Sequence, residues 1–275
     1  LCACALHRAN CGDLLSSIMV GGKLSASPDY LGLTLRAITL MQNNDSQDDL
    51  AQELAQYHEH DDEGVIFSSI YTGLKQGDEN AMSLIRPYVF SDTMIGEMNA
   101  TDRAIQIVFR LLSLEEAKKW IQELGKDPSS LRTVIKSVAI LGDPTVLPWL
   151  LTLMSQDETA RIAGNAFSLL TGLDLELEKM VKPITSAEEL DENTLEDLDS
   201  DLPWPDMDKI SAWYSVNSGR FLFGHRYLAG ELISEEQCIK VMSQGKQNQR
   251  RAAYHELAIM NSSSVFNENP KRMRL

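Results

Sequence analysis

Residues 128–172 most restrict how this chain can fold, because strong helix-ending signals separate three apolar helical patterns there. The predicted helices are Ser130–Leu141, Val146–Met154 and Thr159–Leu170. Gly142 and Pro144 stand between the first two, and glycine suits the residue after a helix while proline suits the first turn of the next. Asp157 is the predicted N-cap of the third helix. The stretch therefore predicts short helices packed as antiparallel pairs.

A repeat runs through the same region. Arg103, Arg132 and Arg161 fall at equal intervals of 29 residues, each near the start of the second helix of a predicted hairpin. Helix pairs with a period of 20–50 residues are typical of α-solenoids. We therefore predict an all-α chain whose main part is a HEAT-like α-solenoid of stacked antiparallel hairpins.

The three arginines are predicted to form a structural ladder. Arginine suits this role because its planar guanidinium can hold two acceptors, such as carboxylates and loop carbonyls of the next hairpin. A ladder that binds a ligand is the alternative.

Composition divides the chain into three predicted parts. Residues 1–180 are assigned to the solenoid, 181–208 to an extended acidic linker, and 209–275 to a C-terminal helical hairpin that packs on the solenoid. The linker is rich in acidic residues and poor in aliphatic ones, a composition that cannot form a core by itself.

An LPWP sequence at residues 202–205 lies inside this linker. Its two prolines favour an extended backbone and present one large ring, Trp204, either to the solenoid or to a partner. Asp206 is predicted to cap a helix whose buried side carries two further aromatic residues. The candidate docking residues are Leu202, Trp204, Asp206, Trp213 and Tyr214.

Charge narrows the range of partners. The chain has 40 acidic and 25 basic residues, a net charge of −15. This balance repels phosphate backbones and anionic lipids, so we expect no nucleic acid and no membrane, and a protein partner with a basic surface fits it. The longest apolar run is far too short to span a bilayer. Four cysteines make no disulfide framework, which favours a cytoplasmic location.

Several runs between about Gly142 and Ala253 carry a family resemblance: GDPTVLPWL, ARIAGNAFSLLTGLDL, DLPWPD, AWY, RFLFGHRYLAG and GKQNQRRAA. With them the chain resembles a bacterial family of HEAT-repeat proteins of unassigned activity, whose members often lie among type VI secretion genes. The resemblance implies an intracellular, secretion-associated scaffold or adaptor, and it implies no reaction. The final KRMRL departs from the family's usual ending. The first eight residues, LCACALHR, look like the middle of a longer family member, so we expect an N-terminal part of unknown length to be missing.

No catalytic set stands out. The phosphate-loop, nucleophile-elbow and zinc-protease motifs GxxxxGK[ST], GxSxG and HExxH do not occur. Cys238 with His225 or His255 would be the residue types of a thiol nucleophile and its base, but nothing in the sequence places these residues together.

Metal binding is also not expected. Cys2, Cys4 and Cys11 lack the fourth ligand of a tetrahedral zinc site. His58 and His60 lie beside acidic residues and could suit zinc or nickel, but a solvated loop is the simpler interpretation. We therefore expect no catalytic residue, no metal and no cofactor.

The leading hypothesis is a non-enzymatic protein–protein interaction scaffold. The alternatives are an immunity protein that binds a secreted toxin and a lyase-like HEAT protein with a small-molecule pocket, since phycobilin lyases share this repeat. The identity of the partner and the oligomeric state stay open at this point.

Overall fold

The computed structural model describes residues 31, 32, 35, 54–78, 80–182 and 198–266. These residues belong to two compact units. The first lies within Leu1–Val108 and Ala258–Leu275, and the second is Phe109–Leu257.

The described residues are mostly helical, as predicted. The helices are α1 (Glu63–Gln76), α2 (Ala81–Phe90), α3 (Ala100–Leu111), α4 (Leu114–Leu124), α5 (Leu131–Leu141), α6 (Leu147–Leu153), α7 (Asp157–Thr171), α8 (Met207–Asn217), α9 (Glu235–Gln244) and α10 (Gln247–Phe266). Two short antiparallel hairpins, which the sequence analysis did not predict, are formed by β1 (Met94–Ile95) with β2 (Met98–Asn99) and by β3 (Tyr227–Leu228) with β4 (Glu231–Leu232).

In the first unit α1 packs against α2. Local capping explains where α1 begins and ends: the Asp62 side chain accepts from the Val65 N–H, and Gly77 follows the last turn in a left-handed conformation. The interior side of this pair is lined by Val65, Phe67, Ile70, Ile85 and Val89.

The second unit contains two packed helix pairs, α4 with α5 and α6 with α7, and α5 also packs on α7. Their shared core is apolar and fully buried at Ile135, Leu147, Leu150 and Phe167. Burial of each such side chain stabilises the folded state by about 1.5–3 kcal/mol, so this core is the main support of the unit.

The start of α7 differs from the prediction. The predicted N-cap, Asp157, is itself the first residue of the helix, and Gln156 occupies the capping position without a side-chain hydrogen bond. Asp157 and Glu158 instead place two negative charges in the first turn, where they interact favourably with the helix dipole. Thr159, the expected first residue, donates its hydroxyl to the Leu153 carbonyl.

Within the part of the chain that the structure describes, no helix combines the length and the apolarity needed to cross a membrane.

Candidate functional site

The C-terminal ends of α5 and α7 are covered by a short piece of chain from much later in the sequence, Arg226–Gly230, which we call the capping segment. The Tyr227 N–H donates to the Gly142 carbonyl, and the Gly230 N–H donates to the Leu170 carbonyl, both at 2.8 Å. The last carbonyls of a helix have no partner within the helix, so an external donor stabilises them. The capping segment thus supplies donors at the ends of two successive helices.

Glycine at both helix ends allows this close approach. Gly142 and Gly172 have φ values of 74° and 72°, in the left-handed region that other residues avoid. A Cβ atom at Gly142 would stand 2.6 Å from the Tyr227 carbonyl oxygen, and one at Gly172 would stand 2.5 Å from that of Ala229. Each glycine therefore serves both the turn and the contact with the capping segment.

Arg226 connects the capping segment to a buried carboxylate. Its Nε donates to the Leu141 carbonyl at 2.8 Å, at the end of α5. Its Nη2 lies 2.9 Å from Glu256 Oε1, and Arg110 Nε lies at the same distance from that oxygen. Arg110 and Glu256 are 5% and 3% exposed, so the ion pair is desolvated. Buried charges require such partners, which ties Glu256 to a structural role.

Cys238 is buried on α9 near this charge cluster. Burial, followed by the negative charge of Glu256, raises the pKa of the Cys238 thiol to about 11. A nucleophilic cysteine needs the opposite shift, because the thiolate is the reactive form. His225 is exposed on a loop, and the His255 ring packs edge-on against Tyr254.

The second crossing segment is Leu198–Asp206, which we call the LPWP segment. Arg132, in the first turn of α5, binds both carboxylate oxygens of the buried Asp199 at 2.8 and 2.5 Å. Arg161, in α7, places its guanidinium 4.8 Å from the centre of the Trp204 ring. Two of the three predicted ladder arginines therefore contact this segment, one as a bidentate ion pair and one as a cation–π pair.

Backbone contacts hold the rest of the LPWP segment. The Lys182 N–H donates to the Trp204 carbonyl at 2.9 Å. Pro205 is buried against Gly164 of α7, where an added Cβ would lie 3.2 Å from the proline ring. Leu202, half-buried, donates its N–H to the Asp199 carbonyl in a turn. Trp204 therefore lies against α7 of its own chain and is itself half-buried.

The remaining candidate docking residues belong to α8. The Asp206 side chain accepts from the Lys209 N–H, which makes it the N-cap of α8, as predicted. Trp213 and Tyr214 contact the buried ring of Phe167 edge-on, with ring centres 6.1 and 6.0 Å apart. These two aromatic residues help fix α8 on α7.

Arg103, the third ladder arginine, lies in the first unit and is exposed. Its charge is close enough to Lys75 to contribute, after burial, to lowering the pKa of that lysine. The ladder as a whole stays a prediction.

The histidine and acid cluster before α1 is used for local structure. The Asp62 N–H donates to His60 Nδ1 at 2.9 Å, while the Asp62 side chain caps α1. Burial lowers the pKa of His58, and the Asp78 carboxylate, 4.0 Å away, acts in the opposite direction. Among the described residues, no group of three or more His, Cys, Asp or Glu side chains could hold a metal ion. Cys2, Cys4 and Cys11, the three cysteines discussed as metal ligands in the sequence analysis, lie outside the described residues.

Sequence reasoning missed an exposed apolar loop at residues 220–225, which we call the tip loop. Leu222 and Phe223 are 56% and 76% exposed. The loop is nevertheless held by Tyr227, whose hydroxyl accepts from the Leu222 N–H at 2.9 Å and donates to the Arg220 carbonyl at 3.3 Å. The available signal was the run of three apolar residues, Phe221–Phe223, directly before Gly224.

The capping segment was missed as well, because its contacts link positions far apart in the chain. Arg226 and Leu141, for example, are 85 residues apart. No family model, no curated protein and no solved structure matches the chain. The HEAT-repeat resemblance therefore stays a prediction, and the functional conclusion depends on the geometry described above.

Proposed function

We propose that the chain is a non-enzymatic interaction scaffold or adaptor of the HEAT-like α-solenoid type, which binds a protein partner in the cytoplasm. The observation that carries the proposal is the packing of the α4–α5 pair on the α6–α7 pair through α5 and α7. Stacked helix pairs of this kind offer long surfaces on which partners bind, and each pair buries only the side that meets its neighbour.

The use of buried charge supports the same conclusion. Glu256 is held by two guanidiniums, Asp199 by Arg132, and Asp143 by Lys118 at 2.6 Å. Each of these acids joins two segments of the second unit. Catalytic carboxylates, by contrast, need access to a substrate.

The family resemblance and the net charge indicate the kind of partner. We propose a component of a bacterial type VI secretion system, because members of the resembled family often lie among its genes. The net charge of −15 favours a partner whose surface is basic over much of its area.

Affinity purification of the tagged chain from cells that carry secretion genes tests the proposal. We expect one protein to be recovered in a fixed stoichiometric ratio and to stay bound through size-exclusion chromatography. An unrelated acidic helical protein of similar charge, with the same tag, serves as the control for charge-driven capture. If no protein is recovered above this control, the proposal is wrong.

A further inference from the structure

We propose that the tip loop, residues 220–225, is the anchor for an acidic region of the partner protein. This inference rests on the proposed function. It adds the surface of this chain that binds the partner and the sign of the charge on the partner's contact region. Leu222 and Phe223 supply the apolar contact, and Arg220 supplies the charge.

The apolar part of the argument is exposure on a fixed loop. Phe221 is 6% exposed and packs edge-on against Tyr227, whereas the next two side chains, Leu222 and Phe223, point to solvent. Val216, in the last turn of α8, is 83% exposed. A loop that is already ordered loses little entropy on binding, and an exposed aromatic residue is a common binding hot spot.

The charge of this region is opposite to that of the chain as a whole. No acidic residue occurs between Asp208 and Glu231, although the chain has 40 acids in 275 residues. Arg220 is exposed, and no carboxylate of the described residues lies within ion-pair distance of it. An apolar anchor beside an exposed cation is complementary to an acidic surface that contains an apolar recess.

A second copy of this chain is a poorer occupant. A two-fold dimer through the tip loops would bring Arg220 of one copy close to Arg220 of the other. The net charge of −15 on each copy also opposes association. We therefore assign the tip loop to a different protein.

The test uses the purified chain and the protein that co-purifies with the chain in a stoichiometric amount. Isothermal titration calorimetry measures the dissociation constant of the two proteins. Capture alone does not support the inference. The variants are Leu222→Ser, Phe223→Ser and Arg220→Glu. The matched control is Leu177→Ser, since Leu177 is 75% exposed in the same unit but lies outside the tip loop. Circular dichroism checks that every variant is folded.

We expect Phe223→Ser to raise the dissociation constant about 30-fold and Leu222→Ser about 10-fold, with Leu177→Ser unchanged. Arg220→Glu should raise it about 10-fold, because reversing the charge turns attraction into repulsion. Tighter binding by Arg220→Glu would mean that the facing surface is basic and would overturn the inference.

Two further outcomes separate this inference from the proposed function. If a stoichiometric partner binds all variants equally, the scaffold proposal stands and the tip-loop inference is wrong. If no partner is recovered, both are wrong. Sedimentation velocity of the chain alone tests for self-association. If the chain forms a dimer and Phe223→Ser dissociates it, the tip loop is a self-association site and the inference is overturned.

Discussion

At the scale of single residues, Glu256 has a structural role that nothing in its local sequence indicates: it forms ion pairs with two arginines. One of its oxygens lies 2.9 Å from both Arg110 and Arg226, and Glu256 and Arg110 are buried. Removing one partner from a buried ion pair leaves the others uncompensated, which costs more than an exposed pair would contribute.

We therefore expect Glu256→Gln to lower the free energy of unfolding by about 3 kcal/mol, because the buried Arg110 guanidinium and the partly buried Arg226 guanidinium lose their shared counter-charge. Urea denaturation followed by circular dichroism measures this. Glu178→Gln, in an exposed turn of the same unit, is the control and should change stability by less than about 0.5 kcal/mol. A loss at Glu256 as small as that of the control would contradict the ion-pair description.

Cys238 gives a second prediction at this scale. Burial raises the pKa of its thiol from the usual 9.0 to about 11, so the native protein favours the protonated form. The resulting contribution to stability is present below pH 9 and is lost as the pH rises towards 11. Iodoacetamide labelling at pH 8, read for each cysteine by mass spectrometry, should modify Cys238 slowly in the native protein and rapidly in urea. Rapid labelling of the native protein would show that the thiol is accessible and ionised.

At the scale of elements, the relevant feature is that two late segments cross the ends of α5 and α7. The capping segment covers their C-terminal ends, and the LPWP segment contacts both helices towards their N-terminal ends. Helices of only 11 and 15 residues are marginal in isolation, so such tertiary contacts matter for them.

The contact with the capping segment can be tested at Gly172. Gly172→Ala must accept a left-handed backbone and place a Cβ 2.5 Å from the Ala229 oxygen. We expect a loss of about 2–3 kcal/mol in unfolding free energy, because both strains act together. Gly219→Ala is the matched control, since a Cβ there meets nothing within 4 Å. Equal stability of the two variants in thermal unfolding would argue against close contact at Gly172.

At the scale of the whole molecule, sequence reasoning succeeded where the signal is local. Gly142 and Pro144 separate two helices as predicted, and Asp206 caps α8. It failed where partners are distant, because the sequence around Arg226 contains no sign that its side chain binds Leu141 and Glu256. The net charge of the chain likewise gave no indication of the tip loop. It is a sum over the whole chain, so it does not show that the region around the tip loop is positively charged.

The central claim concerns the second unit: its helix pairs pack on each other, and the capping segment covers the C-terminal ends of α5 and α7. The capping segment also holds the tip loop in place. Native-state hydrogen exchange of the backbone amides of Leu222, Tyr227, Ala229 and Gly230 tests it most directly. We predict that Tyr227, Ala229 and Gly230 exchange as slowly as the cores of α5 and α7, and that Leu222 is protected by its bond to the tyrosine hydroxyl. Exchange of these four amides at unfolded-peptide rates, while α5 and α7 remain protected, would contradict the account.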